Sequence, residues 1–249
     1  MNGPIVFADL DDTLFQTARK CPGGISTGLL PMSRLADGTA SGFATPVQQE
    51  FLRWLRHGTV IPVTARSSAV LARVDVEQAP AICSNGGRIN AADGNVGQEW
   101  HASLLQISRS HAPVAEVHRE MTAGLDPTRF RHWTVAEQDL DLYVVVKSNV
   151  DEGAALEVVA SRFAEAGPTG WRMHRNGNNL ALLPSWLSKR AAVSHLIGLF
   201  RREKPHTLMV GVGDSSSDAG FMDLCDFAMT PTGSQLWRSA VESSEWILP

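Results

Sequence analysis

The chain is short of several things, and each shortage excludes something. Three cysteines, Cys21, Cys83 and Cys225, are spread widely through 249 residues. An odd number without short spacings builds neither a disulfide framework nor a zinc knuckle, and it suits a reducing compartment. No apolar run approaches the roughly 20 residues of a membrane helix. Met1-Asn2-Gly3-Pro4 carries no basic residue, and Asp9 interrupts the following apolar run too early for a secretory signal. A soluble, cytoplasmic protein without a membrane partner is expected. Positive charge is also short: 22 Lys and Arg against 26 Asp and Glu, a formal charge of −4. That balance argues against nucleic acid as a partner. The eight histidines show no metal-protease spacing, and no Gly-x-Ser-x-Gly elbow occurs.

What is present begins at Ile5-Val6-Phe7-Ala8-Asp9-Leu10-Asp11-Asp12-Thr13-Leu14-Phe15, where an apolar run ends in three carboxylates within four residues. Such a run reads as a buried parallel strand, and ligands of open α/β sheets gather beyond the carboxyl ends of their strands. Side chains two apart on extended backbone point the same way. Asp9 and Asp11 are therefore expected to face one pocket, with Leu10 in the core. Crowded carboxylates call for a cation, and oxygen-only ligands suit Mg²⁺.

The spacing predicts strands over 4–10, 59–64, 81–84, 207–212, 227–229 and 246–248, with helices over 46–57 and 189–200 and part of a helix at 221–224. Between the two halves the rhythm changes to helix, strand, strand, twice over: helices over 101–121 and 153–165, strand pairs over 129–135 with 140–147 and 170–175 with 179–183. This is an α+β module inserted into an α/β one. Residues 16–45, rich in Gly, Ser, Thr and Pro, form an unusually long connection. Ala36-Asp37-Gly38-Thr39 inside it reads as a hairpin turn, and the segment either as a lid or as a floppy insertion.

Three more segments carry chemistry. Thr64 ends the second strand and Ala65-Arg66-Ser67-Ser68 opens a helix, where free N–H groups and a hydroxyl favour phosphate; a plain helix cap is the other use of such residues. Arg66 reaches either substrate or a core carboxylate. Lys189, one of four lysines, stands in the first turn of a helix, against the local dipole. Finally, Val210-Gly211-Val212-Gly213-Asp214-Ser215-Ser216-Ser217-Asp218 again runs from a strand into carboxylates; a Gly-x-Gly lacking its third glycine is weak evidence for a dinucleotide.

Asp-Leu-Asp-Asp-Thr-Leu resembles the first motif of the haloacid dehalogenase (HAD) superfamily of phosphohydrolases, Asp-x-Asp-x-Thr. Thr64, Lys189 and Gly213-Asp214-Ser215-x-x-Asp218 resemble the later motifs in the same order. The resemblance spans nearly the whole chain and is similar to the Cof-type and sucrose-phosphatase-like branches. It implies a Rossmann-like parallel-sheet core over 1–84 and 186–249, with an α+β cap over 85–185, entered through Ser84-Asn85-Gly86-Gly87. It further implies Asp9 as nucleophile, Asp11 as general acid/base, and Thr64, Ala65, Arg66, Asn85 and Lys189 at the phosphate or substrate. Asp9, Asp11, Asp214 and Asp218 would form the Mg²⁺ site, with Asp218 holding a coordinating water or orienting the lysine. Ser217 replaces an Asn usual in the branch. The implied activity is Mg²⁺-dependent hydrolysis of a small phosphorylated metabolite, a sugar phosphate, through an aspartyl-phosphate; a phosphomutase of the phosphomannomutase kind and a non-catalytic binding protein are the alternatives. In the cap, His132, Trp133, His174, Arg175 and Asn178 are candidates to face substrate.

Overall fold

The computed structural model describes residues 3–22, 28–150 and 153–241. The chain divides into two compact units, Met1–Gly97 with Lys189–Pro249, and Gln98–Ser188.

The first unit runs β1 (Ile5–Ala8), a 3-10 turn (Ala18–Lys20), β2 (Leu30–Arg34), β3 (Ala40–Ala44), α1 (Pro46–Leu55), β4 (Thr59–Pro62), α2 (Ser68–Leu71), β5 (Ala81–Cys83) and β6 (Arg88–Asn90). The second holds α3 (Gln98–Ser108), α4 (Val114–Thr122), β7 (Phe130–Glu137), β8 (Leu140–Ser148), α5 (Glu157–Ala166), β9 (Trp171–Asn176) and β10 (Asn179–Pro184). The first unit then resumes with α6 (Lys189–Glu203), β11 (Met209–Val212), α7 (Ser216–Met222), β12 (Phe227–Met229) and α8 (Gln235–Val241).

The core sheet has the order β12-β11-β1-β4, parallel throughout, and a Val63–Ile82 bridge links β4 to β5. Every residue of β1 is buried, as expected for a strand covered on both faces. Because β1 pairs with β4 on one side and β11 on the other, the strand order reverses there, the usual place for a ligand crevice.

Local rules explain the helix starts. Thr45 and Gln48 make a reciprocal capping box and Pro46 opens α1. Leu52 and Leu55 face the core, whereas Trp54 is 57% exposed and stacks on Phe51. The single helix expected over 101–121 is two helices, broken before Pro113, which caps α4 and removes a helical N–H donor. The strand expected at 246–248 lies outside the described residues.

The hairpin expected around Ala36–Thr39 is present as β2 and β3, antiparallel with an irregular register. It is fastened to the core: Met32 and Ala44 are buried with Phe15, and Arg34 N donates to Arg73 O. Gly42 is required here, since a Cβ would stand 2.7 Å from the Phe15 ring. Ser84-Asn85-Gly86-Gly87, expected to lead into the cap, instead turns β5 into the antiparallel β6, which stays with the core. The division falls at Gly97/Gln98 rather than at residue 84.

In the second unit the sheet order is β7-β8-β10-β9, antiparallel throughout. Phe130, Val144, Val146, Leu180 and Leu182 pack against α4 and α5 on one face. Leu104 of α3 meets Tyr143 and Leu183 in a separate cluster.

Candidate active site

The carboxyl ends of β1 and β11 deliver Asp9 and Asp214, and α6 and α7 deliver Lys189 and Asp218. All four belong to the core. Lys189 Nζ donates to Asp9 Oδ1 at 2.5 Å and to Asp218 Oδ1 at 2.8 Å, and each of these three side chains is at most 8% exposed. The cation at the start of α6, locally unfavourable, thus has its reason in two buried carboxylates.

Glycine makes this approach possible. A Cβ on Gly213 would stand 2.4 Å from Asp218 Cβ, and one on Gly211 2.8 Å from Met222 Cα. The Gly-x-Gly of β11 therefore lets α7 lie against the strand. Asp218 Oδ2 accepts from Ser215 N at 3.1 Å and Ser215 Oγ at 2.7 Å, so one carboxylate caps α7 and holds the lysine.

Thr13, absent from the residues singled out as functional, is 1% exposed. Its hydroxyl lies 3.4 Å from Asp9 Oδ2 and 3.3 Å from Asp214 Oδ1, with one proton to share between them. Its signal was in the Asp-x-Asp-x-Thr pattern. The turn that sets it there has Leu14 N bonded to Leu10 O and Asp12 N to Phe15 O, with Asp12 at φ 62°. Lys20 pairs with Asp12 beside it.

Asp11 leaves this cluster. Arg66 clamps its carboxylate with two bonds, Nε to Oδ2 at 2.8 Å and Nη2 to Oδ1 at 2.6 Å, while the guanidinium carbon sits 5.3 Å from the Phe15 ring centroid. Of Arg66's two expected partners, the structure shows the carboxylate. Thr64 is 1% exposed and its hydroxyl accepts from Arg66 N at 3.1 Å, a turn bond, whereas the cap of α2 is Ser67, whose hydroxyl accepts from Val70 N. Asn85, left-handed at φ 58°, donates its backbone N–H to Thr64 O at 3.0 Å, tying the β5–β6 turn to the same loop. Ala65 lies between Thr64 and Arg66 in that loop. Candidates His132, Trp133, His174, Arg175 and Asn178 are on the sheet of the second unit or its turns; of these, Arg175 pairs with Glu157 and Asn178 bonds Ser148 O.

The electrostatics show surplus negative charge. Burial pushes the Asp9 carboxyl up to about 7 despite the pull of Lys189, with Asp218 and Asp11 adding to the rise. Burial, then Asp218 and Asp12, push Asp214 up to about 6. Burial opposes the charge on Lys189, but Asp9 and Asp218 overcome it and hold the ammonium more firmly protonated than usual. The Arg66 guanidinium is likewise held charged, burial being outweighed by Asp11 and then Asp9.

A divalent cation fits this donor set. Carboxylate oxygens of Asp9, Asp214 and Asp218 lie within 4.8 Å of one another. Three carboxylates facing one ammonium are a hard, oxygen-only environment of the kind Mg²⁺ takes.

No protein-family model and no curated protein sequence matches this chain. Its fold matches solved structures of low identity. Sucrose-phosphatase from Synechocystis, solved with sucrose and phosphate, is 14% identical with a TM-score of 0.60 over 98% of this chain and 90% of that one. A Thermoplasma acidophilum protein is 14% identical with a TM-score of 0.57 over 96% and 89%. A haloacid dehalogenase-like hydrolase from B. subtilis is 14% identical with a TM-score of 0.50 over 96% and 92%. The chain has the fold of the haloacid dehalogenase-like hydrolases, a Rossmann-like parallel-sheet core with an inserted α+β cap.

Proposed function

We propose that this chain is a Mg²⁺-dependent phosphomonoester hydrolase acting on a small phosphorylated metabolite, a sugar phosphate. The observation that carries the reading is the buried Asp9–Lys189–Asp218 chain with Asp214 beside it. The fold shared with a sucrose-phosphatase supports it.

Asp9 Oδ2, the oxygen not bonded to Lys189, attacks phosphorus in line and the bond to the leaving oxygen breaks, giving an aspartyl-phosphate. Lys189 neutralises phosphoryl charge while held by Asp218, and the Thr64 hydroxyl, which accepts from Arg66 N, donates its own proton to a phosphoryl oxygen beside Ala65. Asp11, in its protonated form and released from Arg66, gives its proton to the leaving oxygen; as carboxylate it then takes one from the water that opens the intermediate. Arg66 is a positioning residue in this scheme. Asp9 and Asp214 would hold Mg²⁺, with Asp218 behind them, and the ion supplies charge neutralisation for the phosphoryl group.

Release of inorganic phosphate from a panel of phosphorylated sugars, dependent on Mg²⁺ and abolished by Asp9→Asn, tests the reading. Return of the phosphoryl group to substrate without phosphate release would make the protein a phosphomutase; absence of both reactions would overturn the assignment. A cytoplasmic setting accords with the free thiols of Cys21, Cys83 and Cys225 and is part of the same proposal. Among the described residues no helix is long and apolar enough to cross a membrane.

A further inference from the structure

On the helix-covered side of the cap sheet two imidazoles meet. His118 stands at the centre of α4, and His132 lies on β7, an edge strand of the sheet. Val117 and Met121 of α4 pack with Phe130 of β7. His132 and Thr134, two and four residues beyond Phe130, share its face by strand alternation and so come to the flank of the same helix.

The contact is close and specific. His118 Nε2 and His132 Nδ1 are 2.8 Å apart, with the ring planes at 77°. On its other side His118 Nδ1 lies 3.2 Å from Thr134 Oγ1. His132 is exposed and His118 half-buried, so an ion from solvent reaches the meeting point.

Neutral imidazole is the commonest side-chain ligand for metals and suits Zn, Cu, Fe and Ni. With metal–nitrogen bonds of about 2.0 Å, two ligands at a right angle stand about 2.8 Å apart, whereas a tetrahedral angle needs about 3.3 Å. The observed separation matches the right angle, the geometry of tetragonal Ni²⁺ and Cu²⁺. The exposed His132 ring supplies the tilt that aims both lone pairs at one point. Thr134 completes the arrangement: its hydroxyl oxygen can accept from His118 Nδ1–H, which leaves Nε2 bare, the outer hydrogen bond that metal-ligating histidines usually make.

The protons balance. Each neutral ring carries one, and in the metal-free pair one of the two lies between the facing nitrogens. On coordination that proton passes to the other nitrogen of its ring, and the ion gives up water for the two imidazoles.

We propose that His118 and His132 form a two-imidazole chelate for a divalent transition-metal ion of tetragonal preference, Ni²⁺ or Cu²⁺, which clips α4 to the edge strand β7, with water in the remaining positions. The site lies within the cap, offers nitrogen where Asp9, Asp214 and Asp218 offer oxygen, and does not depend on the chemistry at Asp9.

The test is calorimetric titration of the tag-free, full-length protein with NiCl2, at a pH about one unit above the ordinary histidine value of about 6.5 and with MgCl2 in excess. Saturable binding of one Ni²⁺ is expected, together with a rise in thermal midpoint that saturates with it. His118→Gln and His132→Gln should each weaken binding by at least about tenfold, and Thr134→Val by about tenfold. Asp9→Asn should change it by less than about twofold, which separates this site from the carboxylate cluster. With CuCl2 the paramagnetic resonance spectrum should show nitrogen coupling that His132→Gln removes. Because His132 is exposed, its variant keeps the test decisive even where His118→Gln does not fold. No saturation, binding untouched by His132→Gln, or loss of binding in Asp9→Asn would each overturn the proposal.

Discussion

The two sheets of this molecule treat charge in opposite ways. In the core sheet every strand is parallel, and the charges at its carboxyl end are desolvated and bonded to one another: Lys189 to Asp9 and Asp218, Asp218 to Ser215, Thr13 to Asp9 and Asp214. In the cap sheet the strands are antiparallel, and charged side chains stay at the surface: Arg131 bonds the amide of Asn149 and Arg175 pairs with Glu157. Burial makes interactions strong and geometry fixed, at the penalty of desolvation. Exposure leaves side chains weakly coupled and free to meet a ligand. The comparison teaches where mutations should hurt.

The largest effect is expected in the core. Asp9→Asn should abolish turnover while leaving the fold intact, because the amide keeps the shape and is a poor nucleophile. Turnover at the wild-type rate, with deamidation excluded, would remove Asp9 from its role. Lys189→Met should lower kcat/KM by at least about a thousandfold and destabilise the protein by about 3–5 kcal/mol, since removing one partner strands two buried carboxylates. Denaturant unfolding measures the second part; a loss below about 1 kcal/mol would mean that the buried pairing matters little.

Next comes Asp11→Asn, which splits the two duties proposed for that residue. With p-nitrophenyl phosphate the leaving group departs unaided, so rapid mixing should show a burst of nitrophenol near one equivalent per site, then slow turnover. With an alkyl phosphate the first step itself should fail. Wild-type rates on both esters would exclude Asp11 as acid/base.

A smaller effect tests the glycine contact. Gly213→Ala forces a methyl to within 2.4 Å of Asp218 Cβ, which should cost about 1–3 kcal/mol and shift α7. Activity should fall with it, because Asp218 holds Lys189. Unchanged melting and unchanged kcat/KM would show that α7 is not seated on β11 as described.

The sign of the pH dependence sharpens the electrostatic half of the comparison. Asp9, at about 7, and Asp214, at about 6, stand above the ordinary 3.8 of an unfolded aspartate. Between those values the folded metal-free protein binds more protons than the unfolded chain, so stability falls as pH rises through about 4 to 7. Lys189, also raised, acts with the same sign in a higher window: its contribution is present in full below 10.5 and lost only at higher pH. Added Mg²⁺ should offset the carboxylate repulsion, so the rise in Tm on adding Mg²⁺ should grow across that window. A Mg²⁺ effect independent of pH would contradict the surplus negative charge. Least of all, Trp133→Ala should change stability by less than about 0.5 kcal/mol, as for an exposed position; a loss of several kcal/mol would mean that Trp133 is part of the packed cap.

The sequence alone determined the alternation of strands and helices, the parallel core, the inserted α+β unit, and the order of Asp9, Thr64, Lys189, Asp214 and Asp218. Those follow from local period and local chemistry: apolar runs that stop at charge, Pro and Thr at helix starts, a lysine set against a dipole. It did not foretell that 101–121 is two helices or that Ser84-Asn85 turns back into β6, and it left open whether Arg66 meets substrate or a carboxylate, which is Asp11. Only the tertiary structure decided these. Alternation along a strand says which side chains share a face, but which partner each one meets depends on groups brought from residues 66, 189 and 218, and on Gly213 allowing α7 to approach. Local pattern carries no information about such long-range contacts, and the raised carboxyl pKa values and the clustering of Asp9, Asp214 and Asp218 arise from them.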